Sequence, residues 1–158
     1  MYLILDTETT GMSKNDEIVE MGIIDLNGHV LYDSTFCPQT RMNPFASKVN
    51  HITDDSLAGA PLFSDEWEKI LSIINGNTVL GHNVKFDVRL MKQTAERYGL
   101  SGAHFKVVDT IDLMKKKIQR SSYSIEKLAE EFGLGTEDHR ACSDCLMTLE
   151  ILKRLQIV

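Results

Sequence analysis

Apolar and polar positions divide this chain into a strand-rich opening and a helix-rich remainder. Tyr2 to Glu8 places Leu3 and Leu5 on one face of an extended segment and Ile4 on the other, as a strand in the middle of a sheet requires. A second strand is predicted over Glu17 to Leu26. Asn27-Gly28 is then a two-residue hairpin signal that returns the chain through Val30 to Phe36. Pro38 to Thr53 holds two of the three prolines and reads as a loop. Beyond it come a short helix near Asp54 to Ala58 and a longer one from Asp65 to Ile74, opened by Ser64 with acids in its first turn. Asn77 to Gly81 reads as a short buried strand, and Phe86, Leu90, Met91, Ala95 and Tyr98 mark one helix face. Phe105 to Val108 is the last predicted strand, with helices at roughly 110–119, 124–132 and 142–156. A hairpin followed by helix–strand alternation predicts an α/β fold, with a mixed central sheet of about five strands flanked by helices.

Composition narrows this picture without changing it. A chain of 158 residues with 42% hydrophobic and 25% charged residues suits one domain, 1–158, with a real core. Met1 to Leu5 is too short an apolar run for a signal peptide or a membrane span, so no membrane partner is expected. Cys37, Cys142 and Cys145 are odd in number and irregularly spaced, which fits a reduced, cytoplasmic setting. The net charge of −6 argues against coating long duplex by counterion release. A polyanionic substrate stays open, because two divalent cations at an acidic site would offset four of those charges.

Candidate chemistry sits in three blocks: Asp6-Thr7-Glu8-Thr9-Thr10-Gly11, Gly81-His82-Asn83-Val84-Lys85-Phe86-Asp87, and His139-Arg140-Ala141-Cys142-Ser143-Asp144. Asp6 and Glu8 point to the same face of a strand, with Thr7 opposite. By itself the pair serves a hard-cation cradle or two solvated acids near a turn equally well. Asp87 opens a helix, where an acid is favourable whether or not it binds metal. His139 and Asp144 would diverge by roughly 140° on one continuous helix. They share a pocket only if His139 lies in the preceding loop and Asp144 in the first turn, a boundary supported by Gly133, Gly135 and the polar stretch 136–138. A histidine there could act as base toward an attacking water.

Taken together the blocks resemble the DnaQ-like, or DEDDh, family of 3′–5′ exonucleases within the ribonuclease H-like fold. Asp-Thr-Glu-Thr-Thr-Gly-Met at 6–12 is similar to its first motif, His-Asn-x-x-Phe-Asp at 82–87 to its second and His-x4-Asp at 139–144 to its third. The resemblance implies that Asp6, Glu8, Asp87 and Asp144 hold two Mg2+ or Mn2+ ions and that His139 is the general base. It further implies that backbone groups of Thr9 and Thr10 hold the 3′-terminal nucleotide of a single strand, with Met12 and Phe86 against its base; apart from the resemblance, His82 or Asn83, in the tight connection before Asp87, could contact substrate. DNA is the favoured substrate, a DNA polymerase a candidate partner, and nucleoside 5′-monophosphates the products. The family's His-x-Ile-Thr stretch reads here Asn50-His51-Ile52-Thr53, with asparagine at the usual histidine position.

Other signals carry less. Cys142-x-x-Cys145 matches a metal or redox spacing, but it lies in a predicted helix and brackets Asp144. Lys115, Lys116, Lys117 and Arg120 make either a solvated face or a phosphate contact. Glu20, Asp109 and Asp112 read as structural acids. Two competing functions remain: an exoribonuclease on short RNA, and a non-catalytic nucleic-acid or polymerase-binding module, which would not need so complete an acid set.

Overall fold

The computed structural model describes residues Met1–Val158. Five strands form one sheet: β1 (Tyr2–Thr9), β2 (Ile18–Asp25), β3 (Val30–Thr35), β4 (Thr78–Gly81) and β5 (Lys106–Asp109). Their order is β3-β2-β1-β4-β5, with β1–β2 and β2–β3 antiparallel and β1–β4 and β4–β5 parallel. The seven helices are α1 (Pro44–Asn50), α2 (Asp54–Leu57), α3 (Phe63–Ile74), α4 (Val84–Arg97), α5 (Thr110–Lys115), α6 (Ile125–Phe132) and α7 (Ala141–Arg154). The expected mixed α/β sheet is therefore present, with β1 in its middle.

The two-sided burial of β1 follows from that position. Leu3 and Leu5 pack with Met21 and Ile23 against Phe63, Trp67 and Ile70 of α3 and Leu90 and Met91 of α4. Ile4 and Ile24 face the other way, onto Leu128 of α6 and Cys145, Leu149 and Leu152 of α7. The strand thus presents its odd and even positions to two separate helix layers.

Four local expectations need correction. The β2–β3 connection is a three-residue loop. The Gly28 N–H donates to Asp25 O at 3.1 Å, the Asp25 N–H donates to His29 O at 3.0 Å, and Gly28 has φ +89°. Leu26 and Asn27 form a turn that Gly28 closes in the left-handed region, whereas Asn27 lacks the positive φ that a two-residue I′ turn demands. The Asp25 carboxylate favours this form by accepting from the N–H groups of Asn27 and His29 at 2.8 and 2.9 Å. Second, the segment 38–53 is not all loop. Asn43 caps α1 by accepting the Phe45 N–H at 2.9 Å, and Pro44, with no N–H to satisfy, takes the first helical position. Third, α3 begins at Phe63, so Ser64 lies inside the first turn instead of capping it. The helix expected over 110–119 also stops early, at Lys115, in a tight turn whose Lys117 and Ile118 N–H groups share the Met114 carbonyl.

Close approach of α7 to the sheet depends on Gly22. A Cβ built there would lie 2.6 Å from the Cys142 nitrogen and 2.7 Å from the Ala141 carbonyl carbon, both backbone atoms that cannot rotate away. Gly22→Ala is therefore expected to push the first turn of α7 off β2 and to destabilise the fold by about 1–3 kcal/mol, the usual range for overpacking. A thermal melt checks it; an unchanged Tm would show that α7 is free to shift.

Candidate active site

Strand β1 carries Asp6 and Glu8 to its C-terminal end on the face that receives α7. There the buried Cys145 lies with its Sγ 3.4 Å from Gly22 O and 3.6 Å from Ile4 O, so the first turn of α7 rests on the sheet. No side chain of Arg140 caps that helix. Glu20 of β2 does so instead: its buried carboxylate accepts the Ala141 N–H at 2.7 Å and pairs with the Arg140 guanidinium at 2.6–3.1 Å. The reading of Glu20 as structural thus acquires a cause, since it fixes where α7 starts.

The result brings one oxygen each of Asp6, Glu8 and Asp144 within 4.8 Å of one another. Asp144 is buried, and its Oδ1 has no hydrogen-bond partner. A buried, unpartnered carboxylate oxygen beside two further carboxylates is costly unless a cation completes it. The donor set is all oxygen and fits a hard divalent ion.

Asp87 stands apart from this group. It is buried near the start of α4, on the opposite helix layer, and its Oδ1 accepts the Thr7 hydroxyl at 2.6 Å. Thr7, expected only to point away from the acids, therefore tethers the fourth of them. The charge of Asp87 still bears on Asp6.

Burial raises all four acids, and the charges of neighbouring acids add to it. Asp6 lies well above the usual carboxylate range, chiefly through burial and then through Asp87, Asp144 and Glu8. Burial pushes Glu8 to about 8, with Asn50 opposing and Asp144 adding to the rise. Asp144 also rises to about 8, from burial and then Glu137. Asp87 reaches about 7 through burial, against the opposing bond from Thr7. Each folded-state value exceeds its unfolded one, so the folded state binds more protons, and stability falls as pH rises from about 4 to about 8. The EDTA-treated protein is accordingly expected to lose Tm across that window, and added Mg2+ or Mn2+ to restore more at pH 8 than at pH 5. A flat Tm–pH curve without cation would contradict the shifts.

His139 lies where the loop–helix boundary predicts, in the connection before α7. Its φ is +54°, a left-handed conformation that folds the side chain back toward Asp144. Glu137 is the neighbour that sequence reasoning missed: its Oε1 lies 3.6 Å from His139 Nδ1, in a stretch that reads as solvated loop.

Beside the acids lies a cleft of about 460 Å³ whose walls include Glu8, Thr9, Met12, Phe86, Phe45 and Asn50. Met12 and Phe86 both line this cleft. Arg89 locks this wall: its Nη2 donates to Met12 O at 3.1 Å and its guanidinium lies 5.3 Å from the Phe86 ring centroid. Nothing in the Pro38–Thr53 loop expectation announced α1 as the opposite wall. Asn50, at its end, is buried beside Glu8, with its Oδ1 accepting the Ile52 N–H at 3.0 Å, while His51 is exposed at the helix C-cap.

One expected contact is corrected. Thr10 is fully buried, with its N–H on Glu17 O at 2.9 Å, its carbonyl accepting from Asn43 N at 2.8 Å and its hydroxyl on Asp16 Oδ1 at 2.7 Å. It locks the turn and has no N–H left to offer a ligand. Asn83, exposed at the N-terminal boundary of α4 with φ 59° and no side-chain capping bond, has its N–H on Asp109 Oδ1 at 3.2 Å and stands beside, not among, the residues lining this cleft. His82 turns inward, its Nδ1 3.0 Å from the Thr110 hydroxyl, and burial lowers its pKa.

Residues 3–152 match the RNase_T family, described as exonuclease. The chain is 32% identical over 158 residues to the DNA polymerase III subunit epsilon of Treponema pallidum, covering 95% of this chain and 74% of that one. It is also 32% identical over 160 residues to the PolC-type DNA polymerase III of Caldanaerobacter subterraneus subsp. tengcongensis, of which it spans 11% while 98% of this chain is covered. Among solved structures it superposes on the nuclease domain of 3′hExo, a DEDDh member bound to rAMP, with a TM-score of 0.80 at 17% identity, covering 99% and 91% of the two chains.

Proposed function

Because the chain belongs to the RNase_T family of exonucleases, we propose that it is a metal-dependent 3′–5′ exonuclease acting on single-stranded or frayed DNA ends. The observation that carries this reading is the convergence of Asp6, Glu8 and Asp144 around an unpartnered buried oxygen, with His139 beside them.

In this reading Asp6, Glu8 and Asp144, with Asp87 in support, would hold the two Mg2+ or Mn2+ ions. Bound there, divalent cations would offset the carboxylate repulsion and stabilise charge on the phosphate. His139 takes a proton from the attacking water, a contribution of about 10²–10⁴-fold. The bond between phosphorus and the 3′ oxygen of the preceding nucleotide breaks, releasing a nucleoside 5′-monophosphate and a strand one residue shorter. Met12 and Phe86 take the terminal base, with stacking of about 1–3 kcal/mol that any base can supply. Thr9, at the floor of the cleft, contributes backbone contacts. Likeness to a polymerase III epsilon subunit extends the proposal to association with a DNA polymerase and a proofreading or repair role.

The test is a 5′-labelled single strand incubated with Mg2+ or with EDTA. A ladder shortening from the 3′ end in Mg2+ alone is the expected result. Cleavage that persists in EDTA, or none in either, would defeat the reading. A matched RNA strand degraded faster than DNA would redirect it to an exoribonuclease.

A further inference from the structure

Asp144 belongs to two groups of ligand-competent side chains. Besides Asp6 and Glu8, it lies with Glu137 and His139, whose ligand atoms and its own are all within 4.8 Å of one another. The two groups differ in chemistry. The first is all oxygen and suits Mg2+, which seldom takes imidazole nitrogen. The second sets one imidazole among two carboxylates, a donor set for zinc-type ions.

The Glu137–His139 contact is better fitted to a cation than to a direct bond. At 3.6 Å, Oε1 and Nδ1 are too far apart for a hydrogen bond. They stand close to the edge of a coordination tetrahedron, about 3.4 Å for bonds of about 2.0–2.1 Å. The third corner is Asp144, a residue only 3% exposed that offers one carboxylate oxygen to this group and whose Oδ1 has no hydrogen-bond partner. Left-handed turns at Gly135 (φ +92°) and His139 (φ +54°) fold the connection so that Glu137 and His139 flank the start of α7. Both side chains are half-buried, which leaves a path from solvent.

We propose that Glu137, His139 and Asp144 form a separate, zinc-selective divalent site, and that its occupant switches the chain off by holding the imidazole. The binding half stands on the geometry alone; the inhibitory half rests on the proposed exonuclease reading. An ion there ties up the nitrogen lone pair that a base needs and draws on the carboxylate that the magnesium group shares. Glu137 belongs to the second group only, which lets the two sites be separated.

Zn2+ is titrated into the full chain in excess Mg2+ against a chromophoric chelator, and Co2+ is used as a visible-absorption probe of the same site. Wild type is expected to take up one Zn2+ that Mg2+ does not displace, and to give a Co2+ band lost in His139→Gln. Glu137→Gln and His139→Gln should each weaken Zn2+ by at least about tenfold, a loss that even outer-shell partners produce. In parallel, Zn2+ should silence Mg2+-dependent hydrolysis by wild type at concentrations that Glu137→Gln withstands. Zn2+ affinity equal in wild type and both variants, each folded by circular dichroism, would overturn the site. Zn2+ bound through these residues without loss of hydrolysis would overturn the inhibition. Zn2+ bound in this way by a chain that degrades no 3′ end under any cation would leave the site standing and remove the exonuclease reading.

Discussion

Asp6→Asn is expected to abolish hydrolysis and, in the same molecule, to stabilise the cation-free fold. Asp6 is half-buried and feels the charges of Asp87, Asp144 and Glu8, so it is the group on which repulsion concentrates. The amide keeps the shape and removes the charge. Loss of a ligand that supplies several kcal/mol of charge stabilisation corresponds to at least about 10³-fold in rate. The stability change runs the other way. Asp6 has a raised folded pKa, so its charged form is penalised in the fold above that range, and an uncharged isostere escapes the penalty. Melting in EDTA at pH 8 should therefore show a higher Tm for the variant, with the difference vanishing near pH 4. A merely structural aspartate would lose activity and stability together. That combination would sink the cation role of Asp6.

His139→Gln is the second large effect. On the proposed mechanism it lowers the rate of a single turnover by about 10²–10⁴-fold while leaving strand binding in place, because the imidazole acts on the attacking water and not on the base or sugar. His139 sits in the connection before α7 with Glu137 as its polar neighbour and belongs to neither helix-packed core, so its removal leaves the two cores untouched. The measurement is pre-steady-state cleavage with enzyme in excess, paired with strand affinity in Ca2+. A loss below tenfold in the chemical step would assign the proton to another group.

Legibility of this chain in its sequence follows the range of the interactions. Alternation alone told that Asp6 and Glu8 share a face, because strand periodicity is a property of the backbone. The boundary between His139 and Asp144 was readable from Gly133 and Gly135, which end one helix before the next begins. Both are local signals, as were the strands around β1. What escaped was either masked by a stronger cue or made only by folding. Two prolines in 38–53 suggested loop, yet Asn43-Pro44 is a cap followed by a first-turn proline, a helix start in its own right. Asn27-Gly28 pointed to a two-residue turn, and the Asp25 carboxylate shifted it by one residue. The tether from Thr7 to Asp87 spans 80 positions, and Glu137 gains its meaning only when the left-handed turn at His139 brings it back toward Asp144. Thr10 shows the reverse error: a motif position expected to face a ligand is consumed by the turn that shapes the cleft. Glu20, correctly read as structural, has its reason in the same long-range class, since it caps a helix 121 residues away.

The account depends on one physical claim, that the end of β1 and the first turn of α7 together make a cation site. A crystal of the chain grown with Mn2+ and measured at the manganese absorption edge tests it directly. The anomalous difference map is expected to show its strongest peak bounded by the carboxylates of Asp6, Glu8 and Asp144. A map with no peak there, or with its only peak on surface acids remote from β1, would contradict the claim.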